Sequence, residues 1–208
     1  MRKIIVALQT SVDGFIEGPE GELDWAMTED EEHSSPLAFD TRETWKDVFA
    51  MFKSVDTCIL GRVMYPEYEQ YWKAVLANPG GPLPLSGKAA TKNEIAYARW
   101  ANKTPHIVVS KTLDEVAWKT TRIVRDIEKI RKLKEQPGKD IYVVGGATLV
   151  GSLMNAGLID EVQLTVNPLI LGGGKALFKD VKERKLLKLV RAKPLKSGKV
   201  SLTYRAQS

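Results

Sequence analysis

The sequence predicts a single α/β domain with a mixed, mainly parallel central sheet and antiparallel C-terminal strands. Two observations lead to this prediction. Short apolar, β-branched runs alternate with helical segments over residues 2–156, which is typical of strands buried on both faces of a parallel sheet. The helical pattern then stops after residue 158, and three successive strand patterns follow. Strands that follow one another without intervening helices favour antiparallel pairing.

In the first half of the chain, residues 2–8 and 55–60 are the predicted strands. A helix is expected from the N-cap residue Thr41 onward, because an apolar stripe at helical spacing follows it. The members of that stripe are Trp45, Val48, Phe49 and Phe52. Further helices are predicted near residues 63–72 and 91–102.

In the second half, residues 106–110 and 141–144 are predicted strands, and helices are expected near residues 124–135 and 147–156. Gly157 stands where a helix C-cap glycine would stand. The last three strands are predicted over residues 160–171, 186–193 and 199–204. We find no internal repeat and no low-complexity linker, so we expect one domain spanning residues 1–208.

The composition is that of an ordinary globular protein. The 208 residues are 43% apolar and 27% charged, which excludes intrinsic disorder. A single cysteine, Cys58, excludes a disulfide framework and a cysteine-rich zinc site. The apolar run at the N-terminus is too short for a signal peptide or a membrane span, so we expect a cytoplasmic protein.

The net charge of +5 is unevenly distributed. Residues 20–47 carry ten acidic residues against two basic ones, whereas residues 182–205 carry nine basic residues against one acidic one. A basic stretch can indicate a nucleic-acid partner, but here the bases alternate with apolar residues and aromatic stacking platforms are nearly absent. We therefore expect a solvated sheet face, and neither nucleic acid nor a membrane as a partner.

Residues suited to a phosphate follow one predicted strand at its carboxyl end, where open α/β sheets bind ligands. Gly145 and Gly146 join the strand at 141–144 to the helix that begins near Ala147 and Thr148. Paired glycines allow a ligand to approach the backbone, and a helix N-terminus offers free N–H groups to an anion. A tight turn explains the two glycines equally well.

Two further strand ends carry cations. Arg62 follows Gly61 and is expected to project from the first turn of the next helix, where a cation is unfavourable unless an anion shares the site. A surface arginine is the alternative. Ser110 and Lys111 end a third strand. Together these strand ends predict a nucleotide site that lacks the Rossmann glycine motif, while the glycines at 172–174 lack the Ser/Thr of a P-loop and are taken as a loop.

These residues form part of a set of motifs that resembles the dihydrofolate-reductase-like family, and most closely the C-terminal reductase domain of the riboflavin-biosynthesis RibD proteins. The motifs are Ser11-Val12-Asp13-Gly14-Phe15-Ile16, Gly21-Glu22-Leu23-Asp24-Trp25, Gly61-Arg62, Val109-Ser110, Val144-Gly145-Gly146-Ala147 and Gly157-Leu158-Ile159-Asp160-Glu161. The chain lacks the H-x-E and P-C-x-x-C motifs of a zinc deaminase, so it corresponds to the reductase half alone.

The resemblance implies a three-layer α/β/α fold, a homodimer, and NADPH-dependent transfer of a hydride to a C=N bond of a pyrimidine- or pterin-like substrate. The reaction of 5-amino-6-(5-phosphoribosylamino)uracil reductase is the example it suggests. Two alternatives stay open, namely a dihydrofolate reductase and a nucleotide-binding protein without turnover. Oxidation of NADPH with candidate substrates distinguishes them.

The resemblance also implies roles for individual residues. The pyrophosphate would be held by Gly145, Gly146, Ala147 and Thr148, with a cis bond between the two glycines. Arg62, Ser110 and Lys111, flanked by Gly61 and Val63, would meet the adenosine 2′-phosphate and so favour NADPH over NADH. The nicotinamide would be placed by the backbone around Leu8 and Gln9, together with Ile16.

The substrate side is indicated by fewer residues. In dihydrofolate reductases a carboxylate at the start of the first helix supports protonation, and Glu29 or Asp30 would supply it here unless both belong to a solvated acidic loop. Asp13 matches a family position, although an Asx-type turn beside Gly14 also explains it. Asp24 and Trp25 would face the substrate, unless Trp25 is a core residue. His33 and His106 have no partners at metal-ligand spacing, so no metal site is predicted.

Overall fold

The computed structural model describes residues 1–27, 42–84 and 87–207. Its strands are β1 (Ile4–Thr10), β2 (Phe15–Glu17), β3 (Val55–Gly61), β4 (His106–Val109), β5 (Thr121–Val124), β6 (Asp140–Gly145), β7 (Glu161–Val166), β8 (Lys175–Ala176), β9 (Leu187–Pro194) and β10 (Val200–Ala206). Its helices are α1 (Asp24–Met27), α2 (Arg42–Phe52), α3 (Tyr65–Ala77), α4 (Lys92–Lys103), α5 (Glu128–Glu135) and α6 (Ala147–Asn155).

Eight of these strands form one sheet in the order β5-β4-β3-β6-β1-β7-β10-β9. Neighbours pair in parallel from β5 through to β7, whereas β10 is antiparallel to β7 and β9 is antiparallel to β10. The short strands β2 and β8 form a separate antiparallel pair. The prediction of a mainly parallel sheet with antiparallel C-terminal strands is therefore confirmed.

Helices cover both faces of the parallel part of the sheet. Ile4 and Val6 of β1 point into the apolar core that contains α5 and α6, and Ile5 between them points into the core that contains α2, α3 and α4. All three side chains are buried. Because each face of the central strands meets a helical layer, the strands are apolar at consecutive positions, and this explains why they are visible in the sequence.

The predicted boundaries need correction in two places. Residues 121–124 form strand β5 at the edge of the sheet, in register with β4, and the helix that was expected over 124–135 begins only at Glu128. The strand expected over 160–171 ends at Val166, ahead of Pro168, which has no N–H group to continue the ladder. Strand β2, only three residues long, gave no recognisable pattern. The predicted N-cap Thr41 lies outside the described residues.

None of the helices in the described ranges is both long enough and apolar enough to cross a membrane.

Candidate nucleotide-binding site

The carboxyl ends of β1, β3, β4 and β6 meet at one edge of the sheet. Gly61 at the end of β3 pairs with Val109 of β4, and Leu60 pairs with Gly145 of β6. Because the strands are parallel, the residues that follow them emerge on the same side. This is the edge at which open α/β sheets bind ligands.

Glycines let the strand ends approach closely at this edge. A Cβ atom built on Gly145 would stand 2.9 Å from the Sδ atom of Met64 and 3.5 Å from the Cδ2 atom of Leu8. A Cβ built on Gly146 would stand 3.8 Å from the Cα atom of Gly61. Gly146 also has φ +102°, a conformation in which a side chain is strained. The ends of β1, β3 and β6 therefore approach one another closely, and we call the space beside Gly145 and Gly146 the glycine gap.

The N-terminus of α6 opens into that space. Gly146 is its N-cap residue, no side chain caps it, and the Gly146 carbonyl accepts the first helical hydrogen bond from the Val150 N–H at 2.9 Å. The N–H groups of Ala147 and Thr148 in the first turn have no acceptor within the helix. The first turn also contains no acidic residue. This end of the helix therefore suits an anion such as a pyrophosphate.

The peptide bond between Gly145 and Gly146 is trans, and the described chain contains no cis peptide bond. The expectation of a cis bond was therefore wrong. A cis bond between non-proline residues costs about 2.5–4 kcal/mol. Here the positive φ of Gly146 turns the chain into α6 and makes the cis bond unnecessary.

Arg62 lies in the turn between β3 and α3, with its side chain exposed beside the glycine gap. The helix begins at Tyr65, so Arg62 precedes it, and the expectation that it projects from the first helical turn was wrong. Pro66 near the helix start sets this boundary, because proline fits the first turn of a helix. The neighbouring residue Val63 is 73% exposed, which is unusual for a valine and leaves an apolar surface next to Arg62.

Ser110 and Lys111 follow β4, next to the position of Arg62. The Ser110 hydroxyl is buried and accepts hydrogen bonds from the N–H groups of Thr112, at 3.1 Å, and Leu113, at 2.8 Å. Its oxygen therefore shapes the turn over residues 110–113. Lys111 is exposed at the tip of this turn.

Arg125 is a residue of this site that the sequence analysis missed. It follows β5, and its guanidinium donates from Nη1 to the carbonyls of Ser110, at 3.1 Å, and of Leu113. Arg125 thus holds the 110–113 turn closed, and its Nη2 atom also pairs with the Asp114 carboxylate at 3.9 Å. No clear local signal marked it, because the strand at 121–124 that places Arg125 at this edge is short and only partly buried.

The end of β1 lies beside the glycine gap through Leu8. Its neighbour Gln9 is half-buried and donates from Nε2 to the carbonyl of Ala26, at the end of α1, over 2.7 Å. Ile16 of β2 packs in the core that also contains Ala147 and Leu149 of α6. Of the three residues assigned to the nicotinamide end, Leu8 lies at the gap, Gln9 follows it on β1, and Ile16 is a core residue of β2.

Three of the residues predicted for the substrate side, Asp13, Asp24 and Trp25, lie within the described ranges. Trp25 is 2% exposed, and its indole N–H donates to the carbonyl of Glu22 at 3.2 Å, which is how a core tryptophan is satisfied. Asp24 is exposed at the start of α1. Glu29 and Asp30 lie outside the described residues.

Asp13 joins two loops. Its exposed carboxylate accepts hydrogen bonds from the N–H groups of Leu171, at 3.2 Å, and Gly172, at 2.8 Å. A hydrogen bond with the Ser11 side chain, followed by these backbone bonds, holds the pKa of Asp13 below its usual value. The carboxylate therefore ties the turn at Asp13 to the 171–172 loop, which is a long-range bridge and not the local Asx-type turn offered as the alternative.

A cavity of about 280 Å³ lies at the opposite edge of the sheet, among residues 105–107 and 119–122 at the amino ends of β4 and β5. His106 at that edge is buried, and its imidazole contacts the Thr104 carbonyl at 2.7 Å and the Tyr68 hydroxyl at 3.2 Å. No group of three His, Cys, Asp or Glu side chains that could hold a metal ion occurs in residues 1–27, 42–84 and 87–207.

An open mixed sheet with a glycine gap and an uncapped helix at its carboxyl edge defines an α/β protein of the dihydrofolate-reductase-like fold. Residues 2–201 match the RibD C-terminal domain, so the chain belongs to the RibD C-terminal domain family. The uncharacterized protein YyaP of Bacillus subtilis (strain 168) is 33% identical over 204 residues, covering 98% of this chain and 94% of YyaP.

Two solved structures share the fold. A protein of Shewanella sp. PV-4, named as a candidate riboflavin biosynthesis protein, superposes with a TM-score of 0.68 at 21% identity, covering 99% of each chain. Dihydrofolate reductase from Enterococcus faecalis, in complex with NADP(H), superposes with a TM-score of 0.61 at 16% identity, covering 99% of this chain and 97% of that one. The likeness thus extends over the whole domain and is not confined to a motif.

Proposed function

We propose that this protein is an NADPH-dependent reductase that transfers a hydride to a C=N bond of a pyrimidine- or pterin-like substrate. The observation that carries the proposal is the gap between Gly146 and Gly61 at the head of α6. It offers uncapped N–H groups where backbone can closely approach a pyrophosphate. The family, the fold shared with an NADP(H)-bound reductase and the riboflavin-related name of a second structure support the reductase class.

The preference for NADPH is proposed from the cations at the ends of β3, β4 and β5. Arg62, Lys111 and Arg125 follow these three strands, and the Ser110 hydroxyl lies in the same 110–113 turn as Lys111. A 2′-phosphate is a dianion that forms charge-assisted hydrogen bonds with several cationic donors, whereas the 2′-hydroxyl of NADH is uncharged and cannot. This corner of the site would therefore distinguish the two cofactors.

The division of labour follows from this arrangement. When bound, the cofactor supplies the hydride, and the protein positions its two ends. Ala147 and Thr148 bind the pyrophosphate, Arg62 and Lys111 the 2′-phosphate, and the end of β1 orients the nicotinamide. The proton that completes reduction of the C=N bond is assigned to Glu29 or Asp30, which stays a prediction.

Binding of NADPH and NADH to Arg62→Ala tests the proposal most directly. Loss of a charged hydrogen-bond partner costs about 1.5–3 kcal/mol, so we expect about a 10- to 100-fold weaker affinity for NADPH and nearly unchanged affinity for NADH. Arg99→Ala removes an exposed arginine of α4 and serves as the matched control. Equal losses for both cofactors would refute the 2′-phosphate assignment.

Measurements of turnover distinguish the proposed reductase from a dihydrofolate reductase and from a nucleotide-binding protein. Oxidation of NADPH with a ribosylaminopyrimidine, but not with dihydrofolate, is the result expected for the proposed reductase. Turnover of dihydrofolate would indicate a dihydrofolate reductase. Tight binding of NADPH without turnover of any pterin or ribosylaminopyrimidine would indicate a nucleotide-binding protein.

We also propose that two copies of the chain pair through the C-terminal strands. The edge strand β9 exposes Leu189 and Val190, at 53% and 52%, and Leu186 just ahead of it is 65% exposed. Exposed apolar side chains grouped on a sheet edge favour coverage by another chain. Light scattering after gel filtration should give a dimer mass for the wild type and a monomer mass for Leu189→Lys. A monomeric wild type would refute the pairing.

A further inference from the structure

A buried lysine lies next to the end of β1. Lys199, ahead of β10, is only 1% exposed and is among the largest fully buried side chains of the protein. Lysine is rarely buried unless its ammonium is satisfied. Here the Nζ atom donates to the Oε1 atom of Gln9 at 3.2 Å, so residues 190 positions apart in the sequence are in contact.

Asn167 adds a second donor to the same amide. Its side chain is completely buried, and its Nδ2 atom lies 3.4 Å from the Oε1 atom of Gln9 and 3.1 Å from the carbonyl oxygen of Thr10. The other end of the Gln9 amide donates to the Ala26 carbonyl at 2.7 Å. We refer to Gln9, Asn167 and Lys199 together as the Gln9 cluster. It fixes both ends of one side-chain amide, which sets the orientation of that amide.

The Gln9 cluster reaches the surface through one member only. Lys199 and Asn167 have almost no accessible surface, whereas Gln9 is half-buried at the end of β1, next to Leu8 and the glycine gap. The Leu8 side chain faces the glycine gap, whereas the Gln9 amide lies on the other face of β1, where it bonds Ala26, Asn167 and Lys199. Through Gln9, Lys199 therefore holds the end of the strand whose Leu8 lies at the gap.

We propose that Lys199 is a positioning residue that holds Gln9, and with it the end of β1, in the orientation that receives the nicotinamide. The proposal rests on the proposed function, in which NADPH binds at the glycine gap. It follows from the burial of an ammonium group, which has a large desolvation cost, against a side chain of the strand whose Leu8 lies at this site. A rigid partner layer behind a contact residue keeps that residue in its binding geometry.

The affinities for two ligands distinguish a positioning role of Lys199 from a purely structural role. NADPH occupies both ends of the site, whereas 2′,5′-ADP lacks the nicotinamide and contacts only the adenosine end. Lys199→Met keeps the length of the side chain and removes its charge and its donors. We expect this variant to bind NADPH about tenfold more weakly, while its affinity for 2′,5′-ADP stays within about twofold of the wild-type value.

A double-mutant cycle tests whether the effect passes through Gln9. Gln9→Met alone should show the same selective loss, and Lys199→Met should add less than about twofold in that background. Lys199→Arg, which keeps a cationic donor, should restore most of the affinity for NADPH. Because Gln9 is half-buried at a strand end, Gln9→Met keeps the proposal falsifiable if Lys199→Met does not fold.

The outcomes separate this inference from the proposed function. Wild-type protein that binds neither NADPH nor 2′,5′-ADP would refute the cofactor assignment itself. Wild-type binding together with equal losses of both ligands in Lys199→Met, or with full affinity for NADPH in Gln9→Met, would overturn the positioning role alone. Independent, additive losses in the double variant would also overturn it.

Discussion

Replacement of Gly146 by alanine at the N-terminus of α6 should have two separate effects. Backbone strain should lower the stability, and the added methyl group should weaken the binding of NADPH. At φ +102°, a side chain costs about 1–2 kcal/mol, so Gly146→Ala should lower the free energy of unfolding by that amount. The new methyl group would stand 3.8 Å from the Cα atom of Gly61, which is ordinary contact and adds no clash. It would, however, fill the gap proposed for the pyrophosphate.

The expected loss of affinity for NADPH is larger than the loss of stability suggests. Displacing a phosphate from one or two N–H donors removes charge-assisted hydrogen bonds worth about 1.5–3 kcal/mol each, which corresponds to about 10- to 100-fold for the first bond alone. Equilibrium fluorescence titration measures this affinity, and urea denaturation measures the stability of the same samples.

The other end of α6 offers a matched control. Gly157 has φ +64°, and a Cβ atom built there has nothing within 4 Å. Gly157→Ala should therefore cost about as much stability, about 1–2 kcal/mol, and leave the affinity for NADPH unchanged. The reasoning is refuted if Gly146→Ala binds NADPH like the wild type, or if Gly157→Ala loses as much affinity.

Two further predictions concern His106 and Arg125. Burial lowers the pKa of His106 from 6.5 to about 4. As the pH falls, the unfolded chain therefore takes up this proton at a higher pH than the folded chain. The free energy of unfolding should decrease by up to about 3 kcal/mol as the pH drops from about 6.5 to about 4. Urea denaturation across that range should show a shallower decline in His106→Gln, and an unchanged slope would contradict the assignment. Arg125→Leu should weaken NADPH about tenfold and NADH less, because the 110–113 turn loses its two carbonyl contacts, while Arg125→Lys should be intermediate. Equal losses of both cofactors would contradict a role at the 2′-phosphate.

The parts of the fold that could be predicted are those whose pattern depends on burial alone. Strands β1, β3 and β6 are covered on both faces, so they are apolar at successive positions and stand out in the sequence. Strand β5 is an edge strand of four residues, Thr121–Val124, and its mixed exposure gave no clear pattern. Because residues 121–123 were assigned to no element and a helix was expected from residue 124, Arg125 was not expected at the carboxyl edge.

The residues of the proposed site also differ in whether a local sequence pattern could predict them. Gly146 and Arg62 were recognised because a glycine pair or a cation after a strand is a local signal. The Gln9 cluster could not be found in this way, because it depends on how β1, β7 and β10 lie side by side, and the contact between Gln9 and Lys199 joins opposite ends of the chain. The trans peptide bond at Gly145 was likewise a matter of backbone geometry, which two glycine letters do not determine.

The two ends of the proposed site consist of different kinds of chemical groups, and this difference affects how mutations change cofactor preference and hydride transfer. The phosphate end consists of backbone N–H groups and exposed cations, so its selectivity resides in side chains such as Arg62 that can change without disturbing the core. The nicotinamide end is the end of β1, where Gln9 is held by the buried groups of Lys199 and Asn167, so its geometry is tied to the packing of β1 against β7 and β10. Cofactor preference should therefore be easy to alter by mutation, whereas the orientation in which hydride is transferred should change only with the stability of the sheet.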